Sequence, residues 1–266
     1  MSAAATSALV PMVGGMELVT IARRPELAEA AFAIPYREAT AAFMQGDPVA
    51  ALVRRTRLAR RWPHLTVVAV DGGECVARGV CVPFAADPAD IAGRVRFPDG
   101  GWDQVAIWAV EDAMDDRETD TVCAIEIAVH PARQRGGLST EVLRAMRAVA
   151  GELGHDELVV PVRPPGKADE PWTSIGEYAA RTRPDGLPAD PWLRVHARLG
   201  GTVVGIAPCS STVQAPLARW RAWTGLPFDT DDPVAVPGGM VPVLVSQLTD
   251  VGVYVEPNVW FSHPTG

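Results

Sequence analysis

EIAVHPARQRGGLSTEVLRAMR, residues 126–147, is the stretch on which the reading of this chain turns. Its opening four residues complete a run over 121–129 that is dense in β-favouring side chains. His130-Pro131 stops that run, because proline cannot donate to a sheet ladder. From 139 to 153 the apolar residues Val142, Leu143, Met146, Val149, Ala150 and Leu153 recur at helical spacing. A strand, a glycine-bearing loop and an amphipathic helix therefore follow one another directly.

The loop between them, Gln134-Arg135-Gly136-Gly137-Leu138-Ser139, has the chemistry of an anion nest. A loop folded back at a helix start turns several backbone N–H groups toward one point, and the helix dipole adds positive potential there. Glycines let a pyrophosphate approach without a blocking side chain. Arg133 and Arg135 add charge for phosphate groups, and Ser139 is of a type suited to capping the helix. The bland alternative is plain loop chemistry, since a Gly-Gly pair before a helix is common.

The order of these parts resembles the signature of the GNAT acyltransferases: a strand ending in Val-x-Pro, then [QR]-x-x-G-x-[GA] opening a helix. Val129 and Pro131 supply the first part, Gln134 takes the [QR] place and Gly137 the glycine place. Ser139 stands where Gly or Ala is usual, a departure in a small residue. The resemblance implies an α/β (α+β) fold with a mixed, mostly antiparallel central sheet flanked by helices. It also implies acetyl-CoA or another acyl-CoA as co-substrate, bound by Val129, Arg133, Gln134, Arg135, Gly136, Gly137, Leu138 and Ser139, with no metal.

Outward from this motif the chain reads consistently. Runs over 64–70 and 74–84 are joined by Asp71-Gly72-Gly73, a hairpin signal. Strands are expected at 16–22, 157–162, 202–206, 241–246 and 251–261, and helices at 25–33, from Asp47-Pro48 onward, and at 102–114, 191–199 and 216–223. Residues 1–15 read as an unstructured start, and 16–266 as one GNAT-like domain. The stretches 85–120, 164–190 and 212–238 exceed what a minimal member needs and are expected to be insertions that shape an acceptor pocket.

Acyl transfer to an amine needs a base for the amine proton, donors for the oxyanion and an acid for the leaving thiolate. The resemblance places the oxyanion donor on the fourth strand near residues 128–130. Its late-helix pattern Tyr-x-x-Leu-Gly is here His196-Ala197-Arg198-Leu199-Gly200, so His196 stands where the family's acid usually is. The competing reading of His196 is a helix histidine held charged by the helix C-terminus. Glu126 and His130 lie four residues apart on one face of a period-2 strand and are both base candidates. Against this, Glu126 reads equally as a salt-bridged strand carboxylate, and His130 as a strand-end histidine. Trp220 and Trp223 are spaced as core, while other late tryptophans suit an apolar pocket. Glu256-Pro257-Asn258 is expected near the pocket border, and the acidic loops 185–190 and 229–232 are expected to be solvated.

Composition bounds the rest. The chain has 266 residues, 48% of them apolar, and a formal charge of −8, which argues against a nucleic-acid partner. Its arginines nevertheless cluster locally, at Arg54, Arg55, Arg57, Arg60 and Arg61, and again at Arg133, Arg135, Arg144 and Arg147. The first cluster reads as a solvated helix face. None of the four cysteines shows metal-binding or disulfide spacing, there is no basic leader and no apolar run spans a membrane. The expectation is a cytoplasmic acyl-CoA-dependent N-acyltransferase acting on a small-molecule amine, with a homodimer as an option. Two alternatives keep the fold: other thioester chemistry (O-acylation, a carrier-protein donor, hydrolysis or decarboxylation), or a non-catalytic CoA-binding module.

Overall fold

Among the described residues nine strands join in one sheet: β1 (Val10–Val13), β2 (Met16–Thr20), β3 (Thr66–Asp71), β4 (Glu74–Phe84), β5 (Thr121–Val129), β6 (Glu157–Val162), β7 (Thr202–Ala215), β8 (Leu244–Ser246) and β9 (Val251–Pro264). The helices are α1 (Ala28–Ala33), α2 (Pro48–Thr56), α3 (Leu58–Arg61), α4 (Gly101–Met114), α5 (Leu138–Glu152), α6 (Ile175–Ala179), α7 (Pro191–Arg198) and α8 (Leu217–Thr224). The computed structural model describes residues 10–13, 15–35, 41–56, 58–87 and 91–266. Residues 1–9 of the expected unstructured start lie outside the described residues, as do the side chains of Arg54, Arg55 and Arg57. Residues 10–13 depart from that expectation, because β1 pairs antiparallel with β2.

The strand order is β1-β2-β3-β4-β5-β6-β9-β7, with β8 also on β9. The β3–β4 hairpin turns on Gly72 and Gly73, both at positive φ (59° and 86°), the conformation a two-residue turn between twisted strands needs. Among the described residues only β5 and β6 pair in parallel, and only at Val122↔Leu158 and Cys123↔Val159. Residues 124–129 and 160–162 continue without pairing to each other, so the sheet opens between them. On its far side β6 is held in register by β9 from Glu157↔Pro264 to Val162↔Val259.

The two faces of the sheet are built from different segments. One packs Val122, Ala124, Leu158, Val160 and Phe261 against Leu143 and Met146 of α5 and Leu193 of α7. The other packs Val80, Cys123, Ile125, Val159 and Trp260 against Val105, Trp108 and Ala109 of α4. A separate cluster of Phe43, Val213, Trp220, Phe228 and Tyr254 lies where β7 and β9 run on together. This is why β7 is much longer than the expected 202–206. Pro208 and the serines after it resemble a loop in sequence, but a shift in register between Ala207 and Ser211 lets pairing with β9 resume.

Candidate active site

The sheet opening leads to the N-terminus of α5. Gly137 is the N-cap, at φ 79°, and no side chain caps the first turn. This corrects the sequence assignment of Ser139 as the cap: Ser139 is inside the helix, and the sharp left-handed step at Gly137 starts it. Arg135 also has positive φ (67°), so the loop doubles back twice and leaves the helix N–H groups facing out. Gln134 reaches the Val129 carbonyl (3.4 Å), tying the loop to the strand end. Arg133 is paired with Asp71 at 2.9 Å and remains half exposed.

On β5 the pairing with β4 slips between Val80↔Glu126 and Cys81↔Ala124, leaving Ile125 as the extra residue of a bulge. The Ile125 carbonyl accepts from Trp102 Nε1 (2.8 Å). The family resemblance placed the oxyanion donor at residues 128–130; the bulge lies earlier, and the His130 N–H donates to Val76 (2.8 Å). Because of the bulge, Glu126 points to the same face as Ile125, toward α1 and α4. There it is ion-paired with Arg78, whose guanidinium also donates to the Ala31 and Ile34 carbonyls (2.7 and 2.6 Å).

His196 is fully buried on the opposite face, on α7, between Trp192 and Phe261. Its Nδ1 lies 2.8 Å from Nε2 of His263 on β9, and its Nε2 has no hydrogen-bond partner among the described residues. Burial first, and His263 second, push the His196 pKa down to about 3. Burial and the Arg147 charge push His263 down to about 4. The sequence reading of a charged imidazole at a helix C-terminus is thus corrected: desolvation outweighs the dipole.

Both histidines are neutral in the fold but titrate near 6.5 when unfolded. Below that value the unfolded chain binds protons the folded chain refuses, so stability falls as pH drops. The loss is at most about 1.4 kcal/mol per pH unit for each ring, down to its folded value. Melting at pH 7.5 and 5.0 should therefore show a larger acid-induced fall for the parent than for a His196→Gln/His263→Gln variant. Equal falls would mean that these rings do not carry the acid sensitivity.

A cleft of about 1140 Å³ joins these parts. Val129, Arg133, Gln134, Arg135, Gly137, Leu138, Ser139, Glu126 and His196 all line it. Gly136 does not; it is exposed on the outer side of the loop. His130 is not a lining residue either: it is exposed, and its Nδ1 accepts from the Ala132 N–H (3.3 Å), so it caps the turn after β5. The far wall is one the sequence reading largely missed: Met44, Asp47, Trp102, Arg163, Ser211 and Asn258, together with Glu256. Only Glu256 and Asn258 were expected near the pocket. Of the three stretches expected to shape it, 85–120 contributes Trp102, 164–190 contributes Pro165, and 212–238 contributes none. Trp192 lines the cleft, Trp220 and Trp260 are core, and Trp172 is exposed. Among the described residues no cluster suited to a metal ion is present, and no helix is long and apolar enough to cross a membrane.

A strand pair splayed beside an uncapped helix start is the arrangement that the GNAT resemblance implies. No family model matches the chain. It is 34% identical over 209 residues to the arginine N-acetyltransferase avaD of Aspergillus versicolor, covering 71% of this chain and 70% of that protein. Among solved structures it resembles the loading GNATL domain of CurA from Lyngbya majuscula, with TM-score 0.55 and 14% identity over 94% of this chain and 98% of that one. It also matches the GphF GNAT-like decarboxylase in complex with isobutyryl-CoA, with TM-score 0.49 and 15% identity over 94% and 99% of the two chains. The chain belongs to the GNAT superfamily of N-acetyltransferases. It is an acyl-CoA-dependent N-acyltransferase.

Proposed function

We propose that the chain transfers acetyl from acetyl-CoA to a primary amine of a small cationic acceptor, arginine or a close analogue, in the cytoplasm. The observation that carries this reading is the cleft itself. It passes through the sheet opening from the bare N-terminus of α5 to a carboxylate-bearing wall on the opposite face. The first end suits pyrophosphate; the second suits a cation. The arginine N-acetyltransferase relative supports the choice of acceptor.

In this reading the amine nitrogen attacks the thioester carbonyl carbon, forming the C–N bond as the C–S bond breaks. Glu126 takes the amine proton, and Arg78 holds its carboxylate in place. The β5 edge at the Ile125 bulge, unpaired with β6, stabilises the oxyanion. His196 is neutral, so it serves the leaving thiolate as an Nε2–H hydrogen-bond donor rather than as an imidazolium acid. His263 accommodates this tautomer by donating its own Nε2–H to His196 Nδ1. The Arg147 charge near His263 favours leaving the far nitrogen of that ring without a proton.

The test is thiol release from acetyl-CoA with arginine as acceptor, with the acetylated product identified by mass spectrometry. Glu126→Gln should lower kcat/KM by about 10²-fold, within the range for a general base, while leaving the KM for acetyl-CoA unchanged. No product with arginine or its analogues would overturn the acceptor assignment. A loss below threefold in Glu126→Gln would remove that residue from the base role.

A further inference from the structure

The opening between β5 and β6 is closed at its narrow end by the pairs Val122↔Leu158 and Cys123↔Val159. Just beyond them the cleft is lined by Ala124, Ile125 and Val160, with Leu143 of α5 beside them. A small aliphatic lining of this kind suits a short hydrocarbon group. One large side chain reaches the same place. Trp102, in the first turn of α4, lines the cleft from the α4 face. Its indole Nε1–H donates to the Ile125 carbonyl at the bulge (2.8 Å). Trp192 lines the cleft from the opposite face, against His196.

The Trp102 ring is held so that it cannot swing aside at little cost. Turning it would break the Nε1 bond and leave the Ile125 carbonyl, in an already irregular stretch of ladder, without that donor. The backbone that carries the ring is pinned as well. The Trp102 N–H donates to Ser210 Oγ (2.9 Å), and Asp103 accepts from the Thr212 N–H (3.1 Å). The Cys209 N–H donates to the Asp99 carbonyl (3.0 Å), and Trp260 Nε1 donates to the Pro98 carbonyl (3.0 Å). A Cβ at Gly101, which has φ 45°, would collide with Ser210, so only glycine lets α4 start this close to β7. The start of α4 is therefore stitched to β7 around its register shift and to β9, and a side chain on so rigid a mount keeps one position.

We propose that Trp102 is the end stop of the acyl pocket: its fixed indole leaves space for the two-carbon acetyl group beside Ile125 and turns away longer acyl chains. The inference rests on the reading above, which places the thioester at the Ile125 bulge. With the pyrophosphate at the start of α5, the acyl carbons are the part of the donor that reaches deepest into the opening. The sheet closes the narrow end and Leu143 stands on the α5 side, so a longer chain must extend toward α4, where the indole is. The amine arrives from that side too, and a chain that displaced Trp102 would obstruct it. One methylene in a fitted apolar pocket is discriminated by about 10- to 200-fold, so two additional carbons give a readable preference.

Calorimetric titration of the whole chain with acetyl-CoA, butyryl-CoA and free CoA tests this without an acceptor, so the result is separate from whether arginine is the substrate. The parent should bind butyryl-CoA at least tenfold more weakly than acetyl-CoA. Trp102→Ala should bring the two thioesters within about threefold of each other and leave free CoA affinity unchanged, because the nucleotide end is held at α5. Trp102→Leu, which keeps an apolar side chain shorter than the indole, should shift the ratio in the same direction by less. Equal binding of the two thioesters by the parent overturns the proposal. So does a preference that survives in both variants. Loss of free CoA affinity in both variants also overturns it, since Trp102 would then support the whole site instead of ending the pocket. Selection of acetyl-CoA through Trp102 in a protein that acetylates no arginine would uphold the stop while rejecting the acceptor. Arginine acetylation without chain-length preference would do the reverse, and no binding of any of the three ligands would overturn both.

Discussion

Gly137→Glu is expected to weaken acetyl-CoA binding by more than 100-fold. Two effects act in the same direction. A Cβ at position 137 meets no atom within 4 Å, so no clash is involved. The position does sit at φ 79°, where an L side chain costs on the order of 1–2 kcal/mol, and relaxing that strain reorients the N–H groups of the nest. The carboxylate then adds a negative charge at the one place where the helix dipole and backbone favour an anion. Gly137→Asn separates the two, because asparagine tolerates the left-handed conformation and is uncharged. It should lose less than tenfold. Calorimetry with acetyl-CoA reads both values, and Tm should fall by only a few degrees in either variant because the loop is exposed. Equal affinities for the glutamate variant and the parent would place the pyrophosphate elsewhere.

Arg78→Met should destabilise the fold by about 3 kcal/mol, the scale for removing one partner of a largely buried pair. Arg78 is 5% exposed, and its guanidinium serves Glu126 and the two carbonyls that close α1. Methionine fills much of the volume and leaves Glu126 an uncompensated charge at the cleft. In a chain of this size such a loss corresponds to a Tm fall of roughly 6–12 °C. Adding Glu126→Gln removes that charge and should restore part of the loss, since the two positions are in contact and their effects do not add. A double variant no more stable than Arg78→Met would show that the carbonyl contacts, not the ion pair, account for the effect. The same comparison bears on the proposed chemistry, in which Arg78 holds the Glu126 carboxylate toward the acceptor amine.

The strand, loop and helix of the proposed donor half were legible because they are local. Strand, Val-x-Pro, loop glycines and helix follow in one stretch, and the structure reproduces β5 with the expected bounds and α5 within a residue at each end. The detail that escaped was which residue caps the helix: Ser139 has the right chemistry, but the left-handed step is taken by Gly137. The acceptor wall was not legible, because it is assembled from α2, α4, β7 and β9. Asp47 was read correctly as a helix start; nothing in its surroundings indicates that the same carboxyl faces Asp103, far along the chain. His263 had no local signal either. It reaches His196 because β9 lies in register on β6, with His263 opposite Leu158. His130 was drawn in by strand periodicity alone, and the proline after it turns the chain away from the cleft.

The division of the cleft between two faces of the sheet has a consequence for how such a protein diversifies. In the proposed reading the donor wall comes from Val129, residues 133–135, residues 137–140 and α7, whereas the acceptor wall comes mainly from Met44, Asp47, Trp102, Glu126, Ser211 and the Glu256–Asn258 pair. Substitutions in one set leave the other set's backbone in place, so acceptor preference can drift between relatives while the machinery for the acyl donor stays fixed. A library randomised at Met44, Gln45, Ser211 and Asn258 would explore new amines from a constant thioester supply.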